Sequence, residues 1–252
     1  MDPFSLSIIG VAAFLASMLG SIAGSGGLIM MPLLMILGFS PHAAIATYRF
    51  GSFLFHVSAS TNFYTHHILH PKRILPLALF AVAGSVVGAM LVLGLPAYIL
   101  EPIIGVLVLL MLLVLIARKQ IERRLKGHDR DIPAWVNHIG APLIFFIIGA
   151  YGGFFGGGTG TLTIITFMVL LRLNALKATA SARFIILCGV IMPLFIFLFT
   201  GLIDYVVGLI IGLGSLFGAW VGSSLAMRMG DKRIEYVVGT VCIILALKLF
   251  LF

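Results

Sequence analysis

The sequence predicts an all-α polytopic membrane protein made of two homologous halves. Three observations predict it: composition, the placement of basic residues, and an internal repeat. Of the 252 residues, 61% are hydrophobic and only 10% charged, and mean hydropathy is +1.20. A soluble domain carries about 25% charged residues, so a water-facing surface cannot be assembled from this chain, whereas lipid accepts it. The net charge of +8 is not spread as in a nucleic-acid-binding protein. Arg118, Lys119, Arg123, Arg124, Lys126 and Arg130 fall in one polar stretch, Lys72 and Arg73 in a second, and Arg228, Lys232 and Arg233 in a third. That is the pattern of cytoplasmic loops between membrane spans.

Hydropathy divides the chain into apolar segments with polar joints. The first half, residues 1–117, gives Ser5–Ala23, a short Gly27–Leu37, Ala43–Tyr64, Ile74–Leu95 and Leu100–Ala117. A basic linker, 118–137, is placed in the cytoplasm. The second half, 138–252, gives His138–Phe155, a short Thr161–Leu171, Leu176–Thr200, Ile203–Met227 and Ile234–Phe252. The opening MDPFSLSIIG has no basic n-region, so the first apolar segment is expected to stay. Cys188 and Cys242 lie inside apolar segments and read as small buried hydrophobes. No metal or cofactor set is expected; His66, His67 and His70 cluster beside Lys72 and Arg73 without acids, as an interfacial loop.

The halves repeat. At a shift of 134 residues Gly24 meets Gly158, Gly26 meets Gly160, Ala44 meets Ala178, Arg49 meets Arg183 and Phe50 meets Phe184. Ser25 meets Thr159 and Thr47 meets Ser181, so hydroxyls match too. At a shift of 130, Gly84, Ser85 and Gly88 meet Gly214, Ser215 and Gly218. With the basic loops inside, five traverses per half place equivalent loops on opposite faces, which makes the halves inverted repeats with both termini outside. The short segments rise only about 16 Å, roughly half a bilayer core, so they are expected as short or re-entrant half-helices and the span count is about eight to ten.

Two constellations carry the functional reading. The first is the pair of glycine-rich breaks, Gly24–Ser25–Gly26–Gly27 and Gly156–Gly160, each ahead of a short apolar segment. Such breaks at matching places in two halves point to a transporter site, because unwound backbone and helix N-termini present N–H groups to an anion. Gly24, Ser25, Gly26, Gly27, Gly158, Thr159 and Gly160 are therefore candidate substrate-binding residues, and both breaks are expected to be non-helical and to meet near mid-membrane. Gly84/Gly88 and Gly214/Gly218/Gly222 read instead as close-packing positions.

The second constellation is Arg49 with Arg183, each several residues inside an apolar segment. An intramembrane arginine is costly and marks function by default. All eight acids lie near segment ends or in loops, so an anionic substrate is expected to supply the counter-charge. Arg49 and Arg183 join the substrate-binding candidates, and His56 is the candidate coupling residue, with proton or sodium as coupling ion.

From Gly24 to Thr47 the stretch GSGGLIMMPLLMILGFSPHAAIAT resembles the first-repeat signature of the TauE/SafE, or sulfite exporter, family of membrane transporters, and GGFFGGGTG, Gly152–Gly160, resembles its second. The resemblance implies a multi-pass protein of the bacterial inner membrane that moves sulfite or an organosulfonate such as sulfoacetate, with no catalytic residues and no cofactor. The competing readings are a passive anion channel and, more distantly, an intramembrane serine protease built on Ser25. The expected partners are a small anion, the lipid bilayer, a coupling ion and a second copy of the chain as homodimer; nucleic acid is excluded.

Overall fold

The computed structural model describes residues 2–24, 26–125 and 140–251, with side chains through 115 and from 140 to 229. Ser25 and residues 126–137 of the linker lie outside the described residues. The described chain folds into helices: α1 (Pro3–Ala23), α2 (Gly26–Ile36), α3 (Pro41–Thr65), α4 (Pro71–Gly94), α5 (Ala97–Leu125), α6 (Ala141–Phe154), α7 (Thr159–Leu170), α8 (Ala175–Leu198) and α9 (Tyr205–Leu251). Among the described residues five stretches are long and apolar enough to cross a bilayer: α1, α4, Ala97–Leu115 of α5, α8 and Tyr205–Met229 of α9. The helices α2 and α7, at 11 and 12 residues, rise about 16–18 Å and cannot cross alone.

The helix boundaries follow local chemistry, and the repeat recurs in them. Ser40 caps α3 by accepting from the Ala43 N–H at 3.3 Å, and Asn174, its partner at the 134-residue shift, caps α8 by accepting from the Lys177 N–H at 2.9 Å. Pro41 follows the first cap at the position where a missing N–H costs nothing. Gly24 ends α1 at φ 89° and its equivalent Gly158 precedes α7 at φ 78°, the left-handed region that glycine enters freely.

The halves interlock. α1 lies along α9 and α6 along α4; α3 packs on α9 and α8 on α4; α3 and α8 touch each other. Each half therefore lends its first and third helices to the fourth helix of the other. Contact is backbone-close: a Cβ at Gly84 or Gly88 would collide with the Phe146 or Ala150 carbonyl of α6, and one at Gly149 or Gly153 with Ala81 or Ser85 of α4. Gly214, Gly218 and Gly222 meet α1 in the same way, as small residues at intramembrane interfaces do. Gly153→Ala is therefore expected to lower stability by about 1–3 kcal/mol, the usual cost of overpacking. Gly105→Ala, at a lipid-facing site with nothing within 4 Å, should be neutral or slightly stabilising. Unfolding midpoints of the two purified variants check the contrast.

The structure departs from the sequence reading at two joints. α5 continues to Leu125, beyond the expected end at Ala117. α9 runs without interruption through Arg228–Glu235, where a loop between two segments is expected. No proline interrupts either stretch, and Lys, Arg and Glu are good helix formers, so a dip in hydropathy marks polarity there and not a break. Cys188 is a free thiol and is half-buried, not fully buried as the sequence suggests, and the Cys242 side chain lies outside the described residues.

Candidate functional site

Arg49 sits in the third turn of α3 and is 4% exposed. Its Nη2 donates to the Gly152 carbonyl at 2.8 Å and the Gly153 carbonyl at 2.9 Å. Those oxygens belong to the last turn of α6, where carbonyls have no helical partner and the helix dipole is negative. Arg183 on α8 is buried more deeply, and its Nη2 donates to the Gly20 carbonyl in the last turn of α1. The two arginines thus play exchanged parts: each reaches from the third helix of one half to the C-terminal end of the first helix of the other. Each is also near an aromatic ring, Arg183 over Phe55 at 5.0 Å and Arg49 near Phe197 at 5.9 Å. These helix ends provide a negative partner that a count of acidic residues does not show. Arg49 Nε has no hydrogen-bond partner among the described residues.

The two glycine breaks meet. A Cβ on Gly160 would stand 2.6 Å from the Gly24 carbonyl oxygen, and one on Gly27 would stand 3.0 Å from Gly157 Cα. Thr161 Oγ1 donates across the junction to the Ala23 carbonyl at 3.0 Å. Gly26 packs on α1 at Ala16 and Gly20, and α5 covers Gly158 with Met111. The breaks are narrower than expected: Gly26, Gly27, Thr159 and Gly160 form the first turns of α2 and α7, while Gly24 and Gly156–Gly158 are the non-helical described positions. Helical first turns still leave N–H groups without intrahelical partners, so the break needs only the residues that reverse the chain. Ser25 falls at this junction but outside the described residues.

Beside the junction is a cavity between α3, α4, α6, α7 and α8. Its volume is about 40 Å³, some three times the ~10–15 Å³ that one water requires. One wall is polar: Arg49, Ser52 and His56 from α3, Ser85 from α4, Thr159 and Thr163 from α7. The lining from α6 and α8 is apolar, chiefly Ile148 of α6 with Ile185, Ile186 and Val190 of α8. His56 is 6% exposed and its Nδ1 has no hydrogen-bond partner among the described residues. Tyr48 lines the cavity edge, and a Cβ on Gly27 would stand 3.1 Å from its hydroxyl, at the start of α2. The hydroxyls donate to local carbonyls here, Ser52 to Arg49, Ser85 to Val82, Thr159 to Gly156 and Thr163 to Thr159, so the buried guanidinium is the standing donor group for a small oxyanion and a hydroxyl joins it only by turning from its carbonyl. Arg183 is not among the residues lining this cavity.

Of the residues singled out from sequence, Arg49, His56 and Thr159 share the cavity; Gly24, Gly26, Gly27, Gly158 and Gly160 form the adjoining junction; Arg183 serves α1. Sequence reasoning missed Tyr48, Ser52, Ser85 and Thr163. Ser52 and His56 lie three and seven residues beyond Arg49, one face of a helix, so a face drawn from the arginine finds them. Ser85 and Thr163 carry no such signal, since only tertiary packing brings them in.

Comparison with known proteins gives a consistent result over nearly the whole chain. The family model described as Sulfite exporter TauE/SafE matches residues 9–249. A probable membrane transporter protein, ORF9, of a Sinorhizobium species is 34% identical over 97% of this chain and 92% of its own length. The probable membrane transporter protein YfcA of Escherichia coli strain K12 is 30% identical over 99% of this chain and 91% of its own. A probable membrane transporter protein of Haemophilus influenzae is 28% identical over 92% of this chain and 89% of its own. No solved structure gives a significant match.

Proposed function

The chain belongs to the TauE/SafE sulfite exporter family of membrane transporters, and from that premise we propose that it is a secondary transporter moving a small sulfur-containing anion, sulfite or an organosulfonate such as sulfoacetate, across the inner membrane. The observation that carries the proposal is the cavity: a buried Arg49 faces Ser52, Ser85, Thr159 and Thr163 beside the point where the two broken-helix pairs meet. Irregular backbone at membrane depth is tolerated where protein covers it or a cavity adjoins it.

The halves are proposed to be inverted repeats that rock about this junction, with the basic loops cytoplasmic. The exchanged packing of α1/α3 on α9 and α6/α8 on α4 supports that plan. His56, in the cavity wall with an Nδ1 that meets no partner among the described residues, is the proposed coupling group for a proton; sodium is the alternative coupling ion. Purified protein in liposomes should take up labelled sulfite or sulfoacetate with a saturable rate, and unlabelled anion loaded on the opposite side should speed that uptake. Flux that rises linearly with concentration and shows no such exchange assigns the protein to channels; no anion flux at all removes the proposal.

A further inference from the structure

The cavity lies across the α3–α8 contact, and its two walls come from corresponding positions of the repeat. At the 134-residue shift Ser52 corresponds to Ile186 and His56 to Val190, and all four line the same space. Duplication would have given like walls; divergence has made the α3 wall polar and the α8 wall apolar. A bare inorganic oxyanion needs donors on every side, and an oxygen turned to Ile186 and Val190 loses its water without a replacement.

Gly189, also in the α8 wall, shows where the room comes from. A Cβ there would stand 4.0 Å from the Ala81 carbonyl and 4.0 Å from Ser85 Cβ, an ordinary contact. Helix packing therefore does not require glycine at this position, in contrast to Gly149 and Gly153 on α6. Its counterpart at the same shift is Phe55, whose ring lies against Arg183. The Arg183 side is filled by a ring where the Arg49 side has only a hydrogen.

Resting on the anion-site reading above, and narrowing it away from sulfite and from sulfoacetate with its charged tail, we propose that the cavity takes an oxyanion bearing a short apolar tail, with the head on Arg49 and on Ser52 and Thr159, whose hydroxyls turn to it from the Arg49 and Gly156 carbonyls, and the tail on Ile186 and Val190. Gly189 sets the length of that tail. A Cβ there already meets Ala81 and Ser85, so a tail of more than one or two carbons has no room past it.

Calorimetric or thermal-shift titration of the purified protein tests this with ethanesulfonate and hydroxymethanesulfonate, which share size and charge but differ in tail polarity, together with methane- and butanesulfonate and sulfite. Ethanesulfonate should bind about tenfold more tightly than hydroxymethanesulfonate and about fourfold more tightly than methanesulfonate, one buried methylene's worth. Butanesulfonate should be excluded. Ile186→Ser, which installs the residue of the opposite wall, should erase the preference for the apolar tail. Gly189→Ala should weaken ethanesulfonate about tenfold and leave methanesulfonate unchanged. Equal or better binding of hydroxymethanesulfonate to the wild type, or a tail preference that survives both substitutions, overturns the proposal. Binding of sulfite alone also overturns it while sparing the anion site, and binding of none of the five removes the anion site itself.

Discussion

Gly160→Leu should reduce transport to background, a loss of more than about a hundredfold, in a protein that still inserts and purifies. The contact it disturbs is backbone on backbone. A Cβ at Gly160 would lie 2.6 Å from the Gly24 carbonyl oxygen and 2.8 Å from Gly24 Cα, and neither atom belongs to a side chain that can rotate away. The first turns of α2 and α7 must then separate. Thr159, the neighbour of Gly160, moves with α7, and it is part of the polar cavity wall. A displacement on the order of 1 Å is enough to misplace hydrogen-bonding groups that must act together. The rest of α7 keeps its packing on α8, so most of the fold stays. Gly105→Leu, on the open face of α5, is the control for insertion of a bulky residue. Liposome flux and size-exclusion profiles of the two variants separate transport from folding. Wild-type flux in Gly160→Leu would show that the junction of the breaks does not shape the site.

Much of this junction was legible in the sequence, for a physical reason. A glycine cluster ahead of a short apolar segment has few explanations in a membrane, and finding it at Gly24 and again at Gly158 leaves fewer. The repeat also reaches structural detail that hydropathy does not see: Ser40 and Asn174 differ in chemistry yet cap equivalent helices. What was not legible is how the halves are joined. Sequence order sets α1 beside α2, but the largest surface of α1 is against α9, and that of α6 against α4. Hydropathy carries no signal for such exchange, because lipid-facing and helix-facing positions are equally apolar in a membrane.

The same blindness explains the arginines. From sequence, Arg49 and Arg183 stand in segments without acids, and a bound anion was the expected counter-charge. The structure supplies another partner, the C-terminal carbonyls of α6 and α1. Backbone carbonyls do not appear in a count of acidic residues. Each arginine therefore has a structural task before any ligand is considered, and only Arg49 among the two also faces the cavity.

That division sets the second large effect. Arg49→Ala should weaken anion binding by about a hundredfold, on the order of 2.7 kcal/mol, the size expected for losing a charge-assisted hydrogen bond in a desolvated site. It should also lower stability, because the carbonyls of Gly152 and Gly153 lose their donor at a buried helix end. Arg49→Lys should restore part of the stability and little of the affinity. An ammonium has three donors on one atom, so holding the two α6 carbonyls leaves a single donor for the cavity, where the planar guanidinium's five leave three. Arg183→Ala should show the stability loss without the affinity loss: a lower unfolding midpoint from removal of the buried guanidinium at the Gly20 carbonyl, which keeps its Gly24 N–H, with anion affinity within about threefold of wild type, since the cavity wall is intact. Titration of each variant with a sulfonate, beside its unfolding midpoint without ligand, reads the two effects separately. If Arg183→Ala loses affinity as Arg49→Ala does, the arginines act on one shared site and the inequality of the two halves is wrong. If neither loses affinity, the guanidinium of Arg49 belongs to α6 alone and the anion must be held elsewhere.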